Sequence, residues 1–158
     1  MSFLIRAMAP DEYGLLEDLL YEAIFVPEGV AAPPRSILQQ PELEVYIAGF
    51  GQAKDDHALV AIVDQRVAGA IWARIMDDYG HIDDATPSLA MALYPQYRGQ
   101  GIGTALLLAM LDHLKHAGYA QVSLSVQKDN YALKMYQKAG FVVFDEADSE
   151  YRMLCPLA

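Results

Sequence analysis

A chain of 158 residues fits one domain, and 54% hydrophobic against 20% charged residues calls for a packed core rather than a disordered polymer. The net charge of −10 argues against nucleic acid as a partner, because phosphate backbones are held by clustered Lys and Arg. No apolar run approaches the roughly 20 residues that cross a bilayer, Met1 to Arg6 does not read as a signal peptide, and a lone cysteine, Cys155, excludes an internal disulfide and a cysteine-rich zinc site. A soluble, cytoplasmic protein without a metal is expected.

In chain order, Phe3 to Met8 reads as a short opening strand that Pro10 and Asp11 end. Leu15, Leu16, Leu19, Leu20 and Ile24 recur at helical spacing and predict an amphipathic helix to about Phe25. Pro27, Gly29, Pro33, Pro34 and Pro41 break the next stretch into a loop-rich segment with room for one short helix. Ala58 to Val63 and Val67 to Met76 are β-like runs joined by the turn Asp64-Gln65-Arg66, a hairpin. A polar stretch from Asp77 to Pro87 leads into a buried strand, Ser88 to Leu93, which stops at Tyr94-Pro95.

The glycine-rich turn Arg98 to Gly103 then opens a strongly apolar helix from about Ile102 to His116. Lys115 and His116 suit the dipole of its last turn, and Gly118 provides the stop. Gln121 to Val126 is a strand and Asn130 to Ala139 a helix, and Phe141 to Phe144 with Tyr151 to Leu154 make a final pair of strands. This order predicts a single α/β domain, a mixed sheet flanked by helices.

Charge is unevenly placed. Met1 to Tyr97 carries 5 basic and 15 acidic residues, whereas the remainder carries 6 of each. A fold that binds a polyanion with its second half and a cation with its first has this distribution, and so does a solvated acidic surface.

The strongest chemical signal is Pro95-Gln96-Tyr97-Arg98-Gly99-Gln100-Gly101-Ile102-Gly103-Thr104. Glycines alternating between a strand and a helix let the backbone turn tightly and approach a ligand. The first amides of the helix after them lack internal partners, and the helix dipole adds about half a positive charge, so the turn is an anion cradle. Arg98 can add a charge and a two-pronged donor. A nucleotide-triphosphate loop would need Gly-Lys-Ser/Thr and a dinucleotide fold Gly-x-Gly-x-x-Gly; neither occurs here.

Arg98-Gly99-Gln100-Gly101-Ile102-Gly103 resembles the Arg/Gln-x-x-Gly-x-Gly/Ala pyrophosphate loop of the GNAT superfamily of N-acetyltransferases. After one more strand, Asn130-Tyr131-Ala132-Leu133-Lys134-Met135-Tyr136 and then Gly140-Phe141 resemble that family's second CoA-contacting segment. The resemblance is specific from about Leu89 to Phe144, and from Phe3 to Met76 it rests on element order alone. It implies one N-acetyltransferase domain over residues 1–158, with an acceptor-side portion to about 85 and a CoA-binding portion over about 86–144. The implied sheet is mixed, mostly antiparallel, and splayed between the strand 88–93 and the strand 121–126.

The resemblance also assigns roles. The pantetheine arm of acetyl-CoA is expected along the backbone of Met91 and Leu93, and its pyrophosphate on the amides of Arg98, Gly99, Gln100, Gly101, Ile102, Gly103 and Thr104. Asn130 either touches the pantetheine arm or caps the helix after it. Tyr136 either packs under the sheet or donates a proton to the departing thiolate, since a phenol of pKa near ~10 can do so. The Leu93 amide is expected to hold the developing oxyanion. The strand-borne glutamate of some relatives is replaced by Ser88, so the base for the amine is sought among Glu22, Glu28, His81, Asp83 and Asp84, with Asp83 first. Tyr21, Phe25, Tyr46 and Trp72 are candidates to line the acceptor pocket, though such aromatics are more often core. Direct acetyl transfer in a ternary complex to a small-molecule or protein amine is implied, rather than a covalent Cys155 route or a CoA sensor without turnover. Homodimers are common in that family.

Overall fold

The computed structural model describes residues 2–157. Strand β1 (Leu4–Ala7) opens the chain, followed by helix α1 (Leu15–Ala23) and a short helix α2 (Pro41–Glu44). Strands β2 (His57–Val63), β3 (Arg66–Arg74) and β4 (Ser88–Leu93) lead to the long helix α3 (Ile102–His116). Strand β5 (Gln121–Gln127), helix α4 (Ala132–Ala139), and strands β6 (Val142–Glu146) and β7 (Glu150–Pro156) complete it. The strands form one sheet in the order β1-β2-β3-β4-β5-β7-β6, antiparallel except for β4 beside β5.

Alternation along the central strands sends side chains to two cores. Val60, Ala70, Trp72 and Ala92 face α1 and meet Leu16, Leu19 and Leu20. Ala61, Ile71, Ala73 and Leu89 face the other way and meet Ile102, Leu106, Leu107 and Met110 of α3. Strand β3 is buried on both faces from Ala68 to Arg74, which is why Val67-Ala68-Gly69-Ala70-Ile71-Trp72-Ala73 reads as a nearly continuous apolar run. Trp72 is wholly buried here. It is a core residue and does not line an acceptor pocket.

Element boundaries differ from the sequence reading at the ends. Helix α1 stops at Ala23 because Ile24 is extended, three residues ahead of Pro27. Strand β3 stops at Arg74, whose guanidinium is drawn into a buried ion pair with Asp56 (3.0 Å). The loop after α1 holds a 3-10 turn (Arg35–Gln39) besides α2. Asp64 and Gln65 both have positive φ, 49° and 68°, as a two-residue turn matched to sheet twist requires.

The seam between β4 and β5 positions the site. Strand β4 pairs with β3 over all six of its residues but with β5 only at Ser88↔Ser123. Beyond that point the two parallel strands part, and the sheet opens into a wedge toward the N-terminus of α3.

Candidate active site

The wedge is continuous with a cleft of about 1020 Å³. One wall is built from main chain. Tyr94 N donates to Ala68 O (2.9 Å), so Tyr94, Ala92 and Ala90 form the bonded pairs with β3. Met91 and Leu93 therefore turn their N–H and C=O groups toward the open side of the wedge. The connection after β4 carries Gly99 (φ 73°) and Gly101 (φ 85°), both left-handed, and Gly101 is the residue immediately before α3. A left-handed residue there swings the chain into the helix with the amides of Ile102, Gly103 and Thr104 at its free N-terminus. Met91, Leu93, Arg98, Gly99, Gly101, Gly103 and Thr104 line the cleft, whereas Ile102 is buried beneath α3 and Gln100 donates to Gln96 O (3.1 Å) at the surface.

Arg98 stands differently from the sequence expectation. Its Nε donates to Leu93 O (3.1 Å) and its Nη2 to a Glu22 carboxylate oxygen (3.0 Å) and to Glu22 O (3.3 Å). The guanidinium thus ties the last turn of α1 to the end of β4, and its fork is engaged by Glu22 rather than held open for an anion. Glu22 is correspondingly an ion-paired residue of the cleft wall.

The opposite wall comes from β5 and α4. Asn130 lines the cleft, and its Oδ1 accepts from Ala132 N (2.9 Å), which starts the helix at Ala132 and leaves the amide NH₂ for a further partner. Tyr136 lies one turn further along the helix, in edge contact with Phe141 (centroids 5.7 Å apart), and also lines the cleft. Burial, with a smaller contribution from Tyr131, pushes its phenol up to about 12. Tyr136 therefore stays protonated throughout the neutral range.

The remaining wall, from α1, the loop after it and the start of β7, is made of side chains. Tyr21, Phe25, Tyr46 and Tyr79 line it together with Glu22, Glu42 and Glu150. Tyr21 Oη donates to Pro33 O (2.6 Å), and Trp72 Nε1 donates to Tyr46 O (3.1 Å), so the buried tryptophan holds Tyr46 in place from behind. Among the described residues the cleft is lined by these three carboxylates and a single basic group, Arg98.

The structure does not bring Asp83 into the cleft. Asp83 is exposed and accepts from Ala85 N (2.9 Å), and its backbone hydrogen bonds keep its carboxyl low, the opposite of what a base needs. Asp84 and Glu28 are also exposed and lie outside the cleft wall, and His81 Nδ1 donates to Met76 O (2.8 Å). Cys155 is buried, its thiol pushed up by desolvation, and it does not reach the cleft. Sequence reasoning missed Asp78, whose half-buried carboxylate accepts from Ser88 Oγ (2.8 Å), and Gly69, which sits opposite Leu93 in the sheet. Asp78 carried no motif; only its position in a polar stretch beside a buried strand pointed to it.

The architecture is a mixed seven-stranded sheet open at one parallel seam, with a helix N-terminus at the mouth of the seam. The sequence profile of the acetyltransferase (GNAT) family matches residues 21–141, and the chain belongs to that family. Mycothiol acetyltransferase of Streptosporangium roseum is 36% identical over 89 residues, covering 55% of this chain and 26% of that protein. The chain thus spans about a quarter of that relative's length. The PaiA N-acetyltransferase of Thermoplasma acidophilum in complex with coenzyme A superposes with a TM-score of 0.72 at 23% identity, covering 99% of both chains. The ribosomal-protein-S18-alanine N-acetyltransferase of Escherichia coli does so with a TM-score of 0.69 at 17% identity, covering 99% of this chain and 95% of that one. Both likenesses are of fold. Among the described residues no helix is long and apolar enough to cross a membrane.

Proposed function

We propose that this protein transfers the acetyl group of acetyl-CoA to a cationic amine by direct attack in a ternary complex. The observation that carries the reading is the wedge between β4 and β5, which runs from one paired residue, Ser88, to the free amides of α3. The groups present fit acetyl-CoA: the main chain of Met91 and the N–H of Leu93, turned away from β3, suit an amide-bearing arm, Leu93 O being taken by Arg98 (3.1 Å), and the amides of Ile102, Gly103 and Thr104 suit a diphosphate. Bound there, acetyl-CoA supplies an activated acetyl group. The Leu93 amide, turned to the open seam, donates to the carbonyl oxygen that gains charge. Tyr136, protonated at neutral pH, donates to the sulfur that leaves. Glu42 and Glu150, the two cleft carboxylates not paired with Arg98, favour an acceptor that arrives as an ammonium group, on a small molecule or an exposed protein amine.

Calorimetric titration with acetyl-CoA, followed by thiol-release assays with spermidine, L-lysine and a short peptide bearing a free N-terminus, tests this. Binding with thiol release for one amine supports the reading and names the acceptor class. Binding without release for any amine favours a CoA sensor, and absence of binding refutes both.

A further inference from the structure

The connection between β3 and β4, residues 75–87, is pinned over the vertex of the wedge. Ser88 and Ser123, the one pair joining β4 to β5, each spend their hydroxyl on it: Ser88 Oγ donates to Asp78 Oδ1 (2.8 Å) and Ser123 Oγ to Gly80 O (2.7 Å). Gly80 lies so flat on β5 that a Cβ there would stand 3.0 Å from the Leu124 carbonyl carbon. The result is a carboxylate held at the root of the seam. Its second oxygen, Oδ2, is buried and has no hydrogen-bond partner. A buried, unpartnered carboxylate oxygen is costly and calls for a use.

Besides Ser88, the Tyr46 hydroxyl and the backbone N–H groups of Gly80 and Asp78 lie close enough to act on this carboxylate, none of them reaching full hydrogen-bond geometry at Oδ2. Tyr46 itself lines the acceptor wall. Its backbone is fixed by Trp72 Nε1 at Tyr46 O (3.1 Å) and by Arg74 Nη1 at Val45 O (3.3 Å) and Ala48 O (2.8 Å). Glu42 from α2 and Glu150 from β7 act on the neighbouring Tyr79, and Glu150 also acts on Tyr46. Burial, the largest influence, raises the Asp78 carboxyl above its ordinary value against the lowering effect of the hydrogen-bonding groups around it.

We propose that Asp78 is the proton acceptor for the attacking amine, reached through the hydroxyl of Tyr46. This rests on the acetyltransferase reading of the cleft. An N–H bond of the bound ammonium breaks and its proton passes to the Tyr46 oxygen, while the Tyr46 hydroxyl proton passes to Asp78 Oδ2. The electron pair stays on nitrogen for the new bond to the acetyl carbon. One positive and one negative charge become a neutral amine and a neutral carboxyl group. Ser88 is a positioning residue that orients the carboxylate.

The test compares the parent protein with Asp78→Asn, which keeps the shape and the Ser88 bond, and with Tyr46→Phe. The amine is whichever of spermidine, L-lysine or the free N-terminal peptide releases most thiol with the parent. Expected is a fall in kcat of about 10²-fold or more in both variants, the scale for losing a positioned base, with acetyl-CoA affinity by calorimetry unchanged. The acidic limb of the parent's kcat/KM profile is expected to vanish in Asp78→Asn. Carbon-13 NMR of the Asp78 carboxyl in the free protein is expected to titrate above ~4, the usual carboxylate value, at the midpoint of that limb. Parent-like kcat and pH profile in a folded Asp78→Asn overturn the assignment and leave the acetyltransferase reading standing. Parent-like kcat in Tyr46→Phe with loss in Asp78→Asn overturns the relay. A parent that releases no thiol with any of the three amines overturns both readings together.

Discussion

The two walls of the cleft are made of different material. The wall formed by β4, residues 98–104 and the start of α3 presents main-chain groups: the turned-out amides of Met91 and Leu93 and the free amides of Ile102 to Thr104. The wall formed by α1, α2 and the 75–87 connection presents side chains from segments far apart in sequence, Tyr21, Glu42, Tyr46, Tyr79 and, behind them, Asp78. A site made of backbone constrains dihedral angles, and that constraint is written as glycine at fixed spacing. A site made of side chains constrains only their tips, which many sequences can deliver. The first kind stays recognisable between distant relatives, while the second diverges with the acceptor.

Damage to the two walls should therefore separate binding of acetyl-CoA from chemistry on the amine. The largest effect is expected for Tyr136→Phe: thiol release slower by about 10²- to 10⁴-fold with acetyl-CoA affinity unchanged in calorimetry. Turnover equal to the parent would remove Tyr136 from the chemistry. Gly101→Val should act oppositely, because a β-branched residue at φ 85° displaces the helix amides. A strain of about 1–3 kcal/mol that must be met to restore the binding arrangement corresponds to roughly a fivefold to 150-fold loss of acetyl-CoA affinity. An unaltered dissociation constant would mean that the loop amides do not hold the diphosphate.

Gly69→Ala tests whether the main-chain wall depends on its register. A Cβ there would stand 2.3 Å from Leu93 Cδ2 and 2.5 Å from Ala92 O, so β4 must move. Overpacking of this kind costs about 1–3 kcal/mol, and at this size each kcal/mol lowers Tm by about 2–4 °C. A Tm equal to the parent's would show that the wall yields freely.

Away from both walls, His57 packs between His113 (Nδ1 to Nε2, 3.0 Å) and Tyr119 (Nε2 to Oη, 3.0 Å), and Tyr119 donates to Asp55. Burial, then His113, lowers the His57 pKa below its ordinary value of about 6.5. A folded-state pKa below the unfolded one gives stability that is present above about pH 6.5 and is lost as pH falls through the folded value. Tm should decline below that pH, and less so in His57→Gln, while acetyl-CoA affinity follows no such dependence. The smallest effect is expected for Glu22→Gln. Its ion pair with Arg98 is part-exposed, at 27% and 39% for the two side chains, so stability should change by no more than about 1 kcal/mol. A larger drop in Tm would mean that the tie between α1 and β4 holds the cleft together.

Local pattern was enough for the order of elements, the helix at Ile102–His116, the buried strand at Ser88–Leu93 and the glycine turn between them, because periodicity and glycine spacing are local properties. It also pointed to Asn130 and Tyr136 on the wall facing that turn. Packing settled that Trp72, a candidate pocket aromatic that as a residue type is more often core, is core and supports Tyr46 from behind. It decided that Arg98 reaches across to Glu22, and that Asp83, four residues from the end of its connection, is exposed outside the cleft while Asp78 of the same connection is bonded to Ser88 at the seam. Each of these depends on which strands part and which stay paired. That is settled by contacts between residues tens of positions apart, Ser88 with Ser123 above all, and no local pattern encodes them.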